Sequence, residues 1–532
     1  MLSRKSLLIL GGILVVALAT RMTALQRDFF NEDEATIALI ADVIVDGGVP
    51  YRDVVDQQLP LAHYGYAMIF LLAGKNNMGA VHVALALLIA LECLVIYILG
   101  RYAFRERVGL LAALFFAVFS WAGTPTDMWA AHTEWSLILF SMAGWGLLLK
   151  SAREKRPGWF FFSGISFGLA FLCKQVAVFD AAALGALLLL GPPVGRSWKE
   201  RGRDAVLFGS GFAVPVFACF SYFWMRGAFQ EFWMCAFEYN ARFYVNEFTV
   251  LQRCLWMPVH TFIFFYLKPL LGFLTLLGLR TVLGGRAAKK REAPLSGVML
   301  GVWFLGSFVA AGYTGRGFQY YFIQLLPQAV LLSALGLDGL MESGRAFFAS
   351  RGKRLSLAWP ALMIALVSAG IVYSLAATWG VYLRDYHQGD RELKSVANYI
   401  KQKTLPSQAI YVWGFHPEIY VLSDRRPATR FTISNFLTGM MPWANIQPDK
   451  DTAYAIMPGA WKIFLRELER DQPAYILDTS PAQFRSYGKY PMSKYPPLAD
   501  FVRGRYELDP EFYYNSIENA VRLYRRVPGA LP

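Results

Sequence analysis

Apolar residues fall into long blocks separated by short polar, often basic, loops. The first block, Leu7 to Ala19 behind Arg4-Lys5, reads as a retained first helix. A signal peptide ending at Ala17-Leu18-Ala19 is the alternative, and either reading exports the polar stretch that follows. Leu59 to Gly74 is short, begins at Pro60, and predicts an interfacial or re-entrant segment. Full spans are then predicted over 80–100, 108–122, 133–150, 158–172, 176–192, 204–225, 256–279, 296–312, 319–338 and 357–379. With the first helix these make eleven. Arg101, Arg105, Arg107, K-S-A-R-E-K-R, G-R-S-W-K-E-R-G-R, R-A-A-K-K-R and the Arg345–Arg354 segment then all lie inside, as the positive-inside rule requires.

That register puts Asp33, Asp127, His132, Glu134, Lys174, Glu231, Glu238, Glu247 and Arg316 at the outer face. After Trp379 the pattern becomes that of a soluble protein. Helices are predicted over 391–403 and 460–470 and strands over 409–413 and 474–477. The fold class is therefore a polytopic α-helical membrane protein with about 11–13 transmembrane helices and a C-terminal extracytoplasmic α/β domain. The boundaries are 1–379 for the membrane domain, with an acidic first outer loop at 26–60, and 380–532 for the soluble domain.

The acidic loop breaks the pattern. Glu32, Asp33, Glu34, Asp42, Asp46, Asp53 and Asp56 fall within 25 residues. Ile37, Ile40, Ala41, Ile44 and Val45 form one helical face, Asn31 is a good N-cap, Glu34 stands at the capping-box position, and Gly47-Gly48 ends the helix. A helix this short cannot span, so it is predicted to lie along the membrane surface.

Composition agrees: hydrophobic residues make up 55% and charged ones 17%. The net charge of +14 resides in short loops, so nucleic acid is not an expected partner. Of five cysteines, Cys93, Cys173 and Cys219 lie in apolar blocks; Cys235 and Cys254 share one loop, as two thiols or as a disulfide.

Each candidate group has a bland reading beside its chemical one. The N-E-D-E cluster at 31–34 is either a helix cap or adjacent carboxylates whose repulsion makes a general base or recruits a cation, a divalent metal among the options. Asp127, His132 and Glu134 are either loop polarity or a second acidic site. Lys174, in F-L-C-K-Q-V-A, either snorkels or binds phosphate. In G-Y-T-G-R-G-F-Q-Y-Y-F-I-Q-L-L-P, Arg316, Gln319, Tyr320 and Tyr321 are either an aromatic belt or a grip on an anionic headgroup.

The acidic first loop, G-V-P-Y-R-D-V-V-D-Q-Q-L-P-L, H-T-E and G-R-G-F-Q-Y-Y-F-I-Q-L-L-P together resemble the class C (GT-C) glycosyltransferases over roughly residues 1–340. These polytopic enzymes use polyprenyl-phosphate sugars, and they include protein O-mannosyltransferases and the lipid A aminoarabinose transferase. The resemblance implies that Asp33, with Glu34 beside it, is the catalytic base, and that Glu134 or Asp127 is the second acid. Gln57-Gln58-Leu59-Pro60-Leu61 stands where many relatives carry a Lys-Pro-Pro-Leu-like sequence, so the lysine is absent, and Gln319-Tyr320 stands where some carry His-Tyr. The implied partners are a polyprenyl-phosphate sugar donor and a glycan, lipid or protein acceptor, at the outer face of the inner membrane. The implied reaction is a single inverting displacement, with Lys174, Arg316 and Tyr320 at the donor phosphate. The competing readings are a transporter or flippase, for which buried charge and many spans are equally natural, and a non-catalytic assembly partner.

Overall fold

The computed structural model describes residues 3–190, 197–244, 248–283, 293–349, 353–385, 389–442, 444–482, 484–512 and 521–528. Glu247 and the R-A-A-K-K-R loop lie outside these. The chain forms two compact units, each assembled from separated stretches of sequence: 1–30, 79–221 and 250–385 in the first, and 31–78, 222–249 and 386–532 in the second.

Apolar blocks become helices because a backbone in lipid must satisfy its own hydrogen bonds. Seven helices among the described residues are long and apolar enough to cross a membrane: Arg4–Gln26, Met78–Ala103, Thr133–Glu154, Trp198–Met225, Leu295–Gly312, Gln319–Ala349 and Ala358–Arg384. Four shorter apolar helices, Leu61–Ala73, Gly158–Cys173, Gln175–Leu190 and Pro269–Leu283, accompany them. The chain is a multi-pass membrane protein. One expected span is corrected: 256–279 is two helices, Val250–Tyr266 and Pro269–Leu283. Proline disfavours helical backbone in the residue before it and suits the first helical position, so Pro269 ends one helix and starts another, leaving Lys268 buried at the break.

In the first unit, glycine lets helices touch backbone to backbone: a Cβ on Gly164 would come 2.0 Å from the Phe208 carbonyl oxygen, and one on Gly211 2.0 Å from that of Phe161. Loop ends assigned inside are gathered together. Arg105 pairs with Asp338 and Glu342, and Arg153 bonds the Tyr102 and Ala103 carbonyls and the Ser296 hydroxyl. The buried Arg21 guanidinium donates to the carbonyls of Met128 (2.6 Å) and Ser120 (2.5 Å) and lies over the Trp135 ring. That arginine ties down the loop ahead of the helix Thr133–Glu154.

The second unit carries a four-stranded sheet of order β1-β2-β4-β3, with β1 Ile410–Trp413, β2 Tyr475–Asp478, β3 Tyr506–Leu508 and β4 Arg522–Arg526. Parallel pairing of β1 with β2 requires a crossover. The helix Ala460–Asp471 lies in that connection and buries Ala460, Phe464, Glu467 and Leu468 along one stripe. Residues 31–78 and 222–249 belong to the same unit. The Val55 N–H donates to the Arg430 carbonyl (2.9 Å), Asn240 Nδ2 donates to the Gln57 carbonyl (2.8 Å), and the Tyr239 hydroxyl donates to the Ala455 carbonyl (3.0 Å). Cys235, buried, and Cys254, exposed, are both free thiols.

Asn31 caps the acid helix Glu32–Val45 as expected, its side chain accepting the Asp33 N–H at 2.7 Å. The helix ends at Val45, with Gly47 in the left-handed region at φ 87°. Its surroundings differ from expectation. Glu34 to Ala41 is continuously buried, where a helix lying on a membrane surface would keep a polar face exposed. It packs on Leu61–Ala73 and on the short helix Glu418–Ser423.

Candidate active site

The candidate residues fall into two groups, one in each unit. In the membrane unit, Lys174 is the residue at which Gly158–Cys173 stops, its backbone extended before the turn Gln175–Ala177. Its ammonium forms an ion pair with Glu134, in the first turn of Thr133–Glu154. Glu134 is almost wholly buried, so an unpaired charge there would be costly, and Lys174 supplies the compensating one. Two aromatic faces complete the enclosure, with Lys174 Nζ 4.0 Å from the Tyr321 ring centroid and 5.2 Å from that of Tyr320. Glu134 and Lys174 line a small cavity with Val176, Ala310, Thr314, Tyr321 and Gln324. Gln324 is itself fixed, its amide donating to buried Asp180 at 3.0 Å, which also accepts from Ser307 at 2.7 Å.

The other members support this arrangement from outside the lining. His132 stacks on Tyr320, ring centroids 4.2 Å apart and planes 9° apart. Asp127 accepts from the Thr124 hydroxyl and the Tyr320 backbone N–H. Burial raises the Asp127 carboxyl above its ordinary range, against the lowering effects of Thr124, His132 and Lys268. Asp127 and His132 thus both bear on the placement of Tyr320. Arg316 is buried in a tight loop between Gly315 (φ 72°) and Gly317 (φ 63°). A Cβ on Gly317 would meet the His260 ring at 2.1 Å, so only glycine fits.

In the second unit, basic side chains reach several of the clustered acids. Lys75 reaches Asp42 (3.1 Å) and Asp46 (2.7 Å), Arg52 holds Asp53 (2.8 Å), and His63 lies 2.9 Å from Asp56. Glu32 lies 3.7 Å from Arg485. Asp33 is half-buried and Glu34 fully buried, both in the helix's first turn. Arg485 is anchored on Glu418, its guanidinium making two contacts with that carboxylate, the shorter 2.6 Å. It also donates to the Phe415 carbonyl. Burial would lower the arginine's pKa, yet the carboxylates of Glu418 and Glu32 raise it, with a further contribution from Asp33. Burial would raise Glu418, but the Arg485 charge and His416 bring its carboxyl down to about 2.

Repulsion between adjacent carboxylates makes a general base or recruits a cation, a divalent metal being one option. Among the described residues no three His, Cys, Asp or Glu side chains are gathered to hold a metal ion. Among the described residues, the Arg485 guanidinium is a cation brought to this cluster. Neither Arg485 nor Glu418 carries a local sequence signal, since both sit in sequence of mixed polarity. Gln324 and Asp180 do carry one, as polar residues interrupting apolar blocks.

Residues 57–223 match the family model described as dolichyl-phosphate-mannose-protein mannosyltransferase. The chain is 27% identical over 348 residues to an undecaprenyl phosphate-α-4-amino-4-deoxy-L-arabinose arabinosyl transferase 2 of Proteus mirabilis, a match covering 62% of this chain and 60% of that protein. Among solved structures it is similar to ArnT from Cupriavidus metallidurans bound to undecaprenyl phosphate, with TM-score 0.62 and 16% identity over 98% of both chains. It is also similar to the oligosaccharyltransferase AglB from Archaeoglobus fulgidus in complex with an inhibitory peptide and a dolichol-phosphate. There the TM-score is 0.58 and the identity 13%, over 99% of this chain and 75% of that one. The fold is therefore that of the class C glycosyltransferases, and the resemblance extends to sequence over part of the membrane domain.

Proposed function

We propose that this chain is an integral-membrane glycosyltransferase that moves a sugar from a polyprenyl-phosphate donor to an acceptor hydroxyl at the outer face of the membrane, with inversion. The observation that carries the reading is the walled ammonium of Lys174, held by Glu134 and two tyrosine faces in a cavity of an otherwise apolar bundle. A lysine whose side chain is only 16% exposed at the edge of an apolar bundle is costly to keep without a purpose. The similar proteins bind or use polyprenyl-phosphate lipids, which gives the ammonium a phosphate guest.

In this reading Glu134 keeps Lys174 charged and aimed while the site is empty, and a donor phosphate gives the ammonium a second anion. Asp33 takes the proton from the acceptor hydroxyl, whose oxygen attacks the anomeric carbon. The bond from that carbon to the phosphate oxygen breaks on the opposite face, and its electron pair leaves with the lipid phosphate. Lys174 stabilises that charge, with Arg316 and Tyr320 as further donor contacts. In the same reading a soluble domain beginning near residue 380 lies on the outer side, and membrane lipid surrounds the donor tail.

The test is release of undecaprenyl phosphate from an undecaprenyl-phosphate sugar by purified protein in lipid nanodiscs with a hydroxyl acceptor. Acceptor-dependent release supports the reading. A protein that binds the lipid, releases none, and moves it between leaflets of sealed vesicles would instead be a flippase.

A further inference from the structure

We infer that Arg485 is a positioning residue for the acid loop, so that the soluble domain forms part of the catalytic apparatus. The inference rests on the proposed role of Asp33. Arg485 lies more than 400 residues along the chain from Glu32, yet both belong to the second compact unit and their charged groups are 3.7 Å apart. Of its two carboxylate partners, the guanidinium holds one firmly and one loosely. Glu418, at the start of Glu418–Ser423, takes the short contact of 2.6 Å and is almost wholly buried, with His416 Nδ1 3.8 Å from its other oxygen. The same helix packs on the acid helix. Glu418 therefore acts as the anchor, and Arg485 projects from it toward Glu32 and the charge of Asp33.

The backbone adds an independent sign of commitment. Arg485 (φ 50°) and Ser486 (φ 67°) are consecutive non-glycine residues in the left-handed region. Such backbone costs energy and persists where the surroundings over-determine it. Here it aims a side chain that is 27% exposed, much less than a solvated surface arginine, at the first turn of another helix. A positive charge at this place counters the repulsion among Glu32, Asp33 and Glu34 and fixes the direction in which the turn presents Asp33. Stability alone would require only the Arg485–Glu418 pair.

Three variants, Arg485→Lys, Arg485→Gln and Glu32→Gln, test this in the full-length protein in nanodiscs, with undecaprenyl-phosphate release as the assay. Wild-type turnover is measured first, because its absence would overturn the proposed function and leave Arg485 without a reaction to serve. Given wild-type turnover, Arg485→Gln is expected to lower kcat by about 10- to 100-fold, with the donor KM changed less than about threefold, and Arg485→Lys to restore part of the loss. Glu32→Gln keeps the Arg485–Glu418 pair intact and is expected to lower kcat by only a few-fold. Its combination with Arg485→Lys should lose no more than the worse single variant. Wild-type kcat in a folded Arg485→Gln protein overturns the inference, as do losses that multiply in the double variant. Should Arg485→Gln fail to fold, the pair of Arg485→Lys and Glu32→Gln decides by the same criterion.

Discussion

The cation pocket of the membrane unit and the acid loop of the second unit solve opposite problems. In the first, a positive charge must survive in an apolar bundle. Glu134 and two tyrosine rings provide for it from neighbouring helix ends. In the second, negative charges crowd one helix turn, and relief comes from Arg485, far away in sequence. A lone lysine in lipid needs one partner, which a nearby span supplies. Three adjacent carboxylates need a cation placed without disturbing their chemistry, and a separate folded element can do that. The comparison predicts that damage to the pocket appears in donor affinity, and damage to the acid loop in turnover.

The largest effect is expected at Asp33. Asp33→Asn keeps shape and removes basicity, and should lower turnover about 10²- to 10⁴-fold, measured as lipid-phosphate release. If Asp33 served only the helix cap, turnover would stay near normal. Lys174→Ala should weaken donor binding by about 10- to 150-fold, the equivalent of one charge-assisted hydrogen bond, whereas Arg105→Ala, at the other end of the bundle, should leave it unchanged. Equal donor affinities in the two proteins would remove Lys174 from the site. Tyr321→Leu should reduce donor affinity only about two- to fivefold, as loss of one ammonium–ring contact implies.

Stability should separate the regions too. The Glu418 carboxyl lies at about 2 in the folded protein against an ordinary 4.5, so its contribution is fully present above pH 4.5 and is lost as pH falls toward 2. Glu418→Gln should cost on the order of 3 kcal/mol at neutral pH by leaving Arg485 without its anchor. It should also flatten the acid limb of the melting-temperature profile between those values. An unchanged acid limb would mean that other carboxylates dominate it.

The sequence is most informative where a physical rule acts locally. Helices at 389–403 and 460–471 and strands at 410–413 and 475–478 lie close to the expected boundaries, because periodicity and β-branched or aromatic content decide them. The Asn31 cap is legible for the same reason. Lys174 stands out as a charge in an apolar run, but its partner does not, since Glu134 reads equally well as a solvated loop residue. The break at Lys268 required more weight on Pro269 than apolar periodicity allows. Arg485 was out of reach. Its role depends on a tertiary arrangement that joins 31–78, 222–249 and 386–532 into one unit, and no local pattern encodes that joining.

The division of labour between the two regions is tested most directly by equilibrium binding of an undecaprenyl-phosphate sugar to Asp33→Asn in nanodiscs, beside Lys174→Ala. The account predicts donor affinity within about twofold of wild type for Asp33→Asn, as expected of a residue that acts in the transition state alone, and clear weakening for Lys174→Ala. Loss of donor affinity in Asp33→Asn, with Lys174→Ala binding normally, would contradict it.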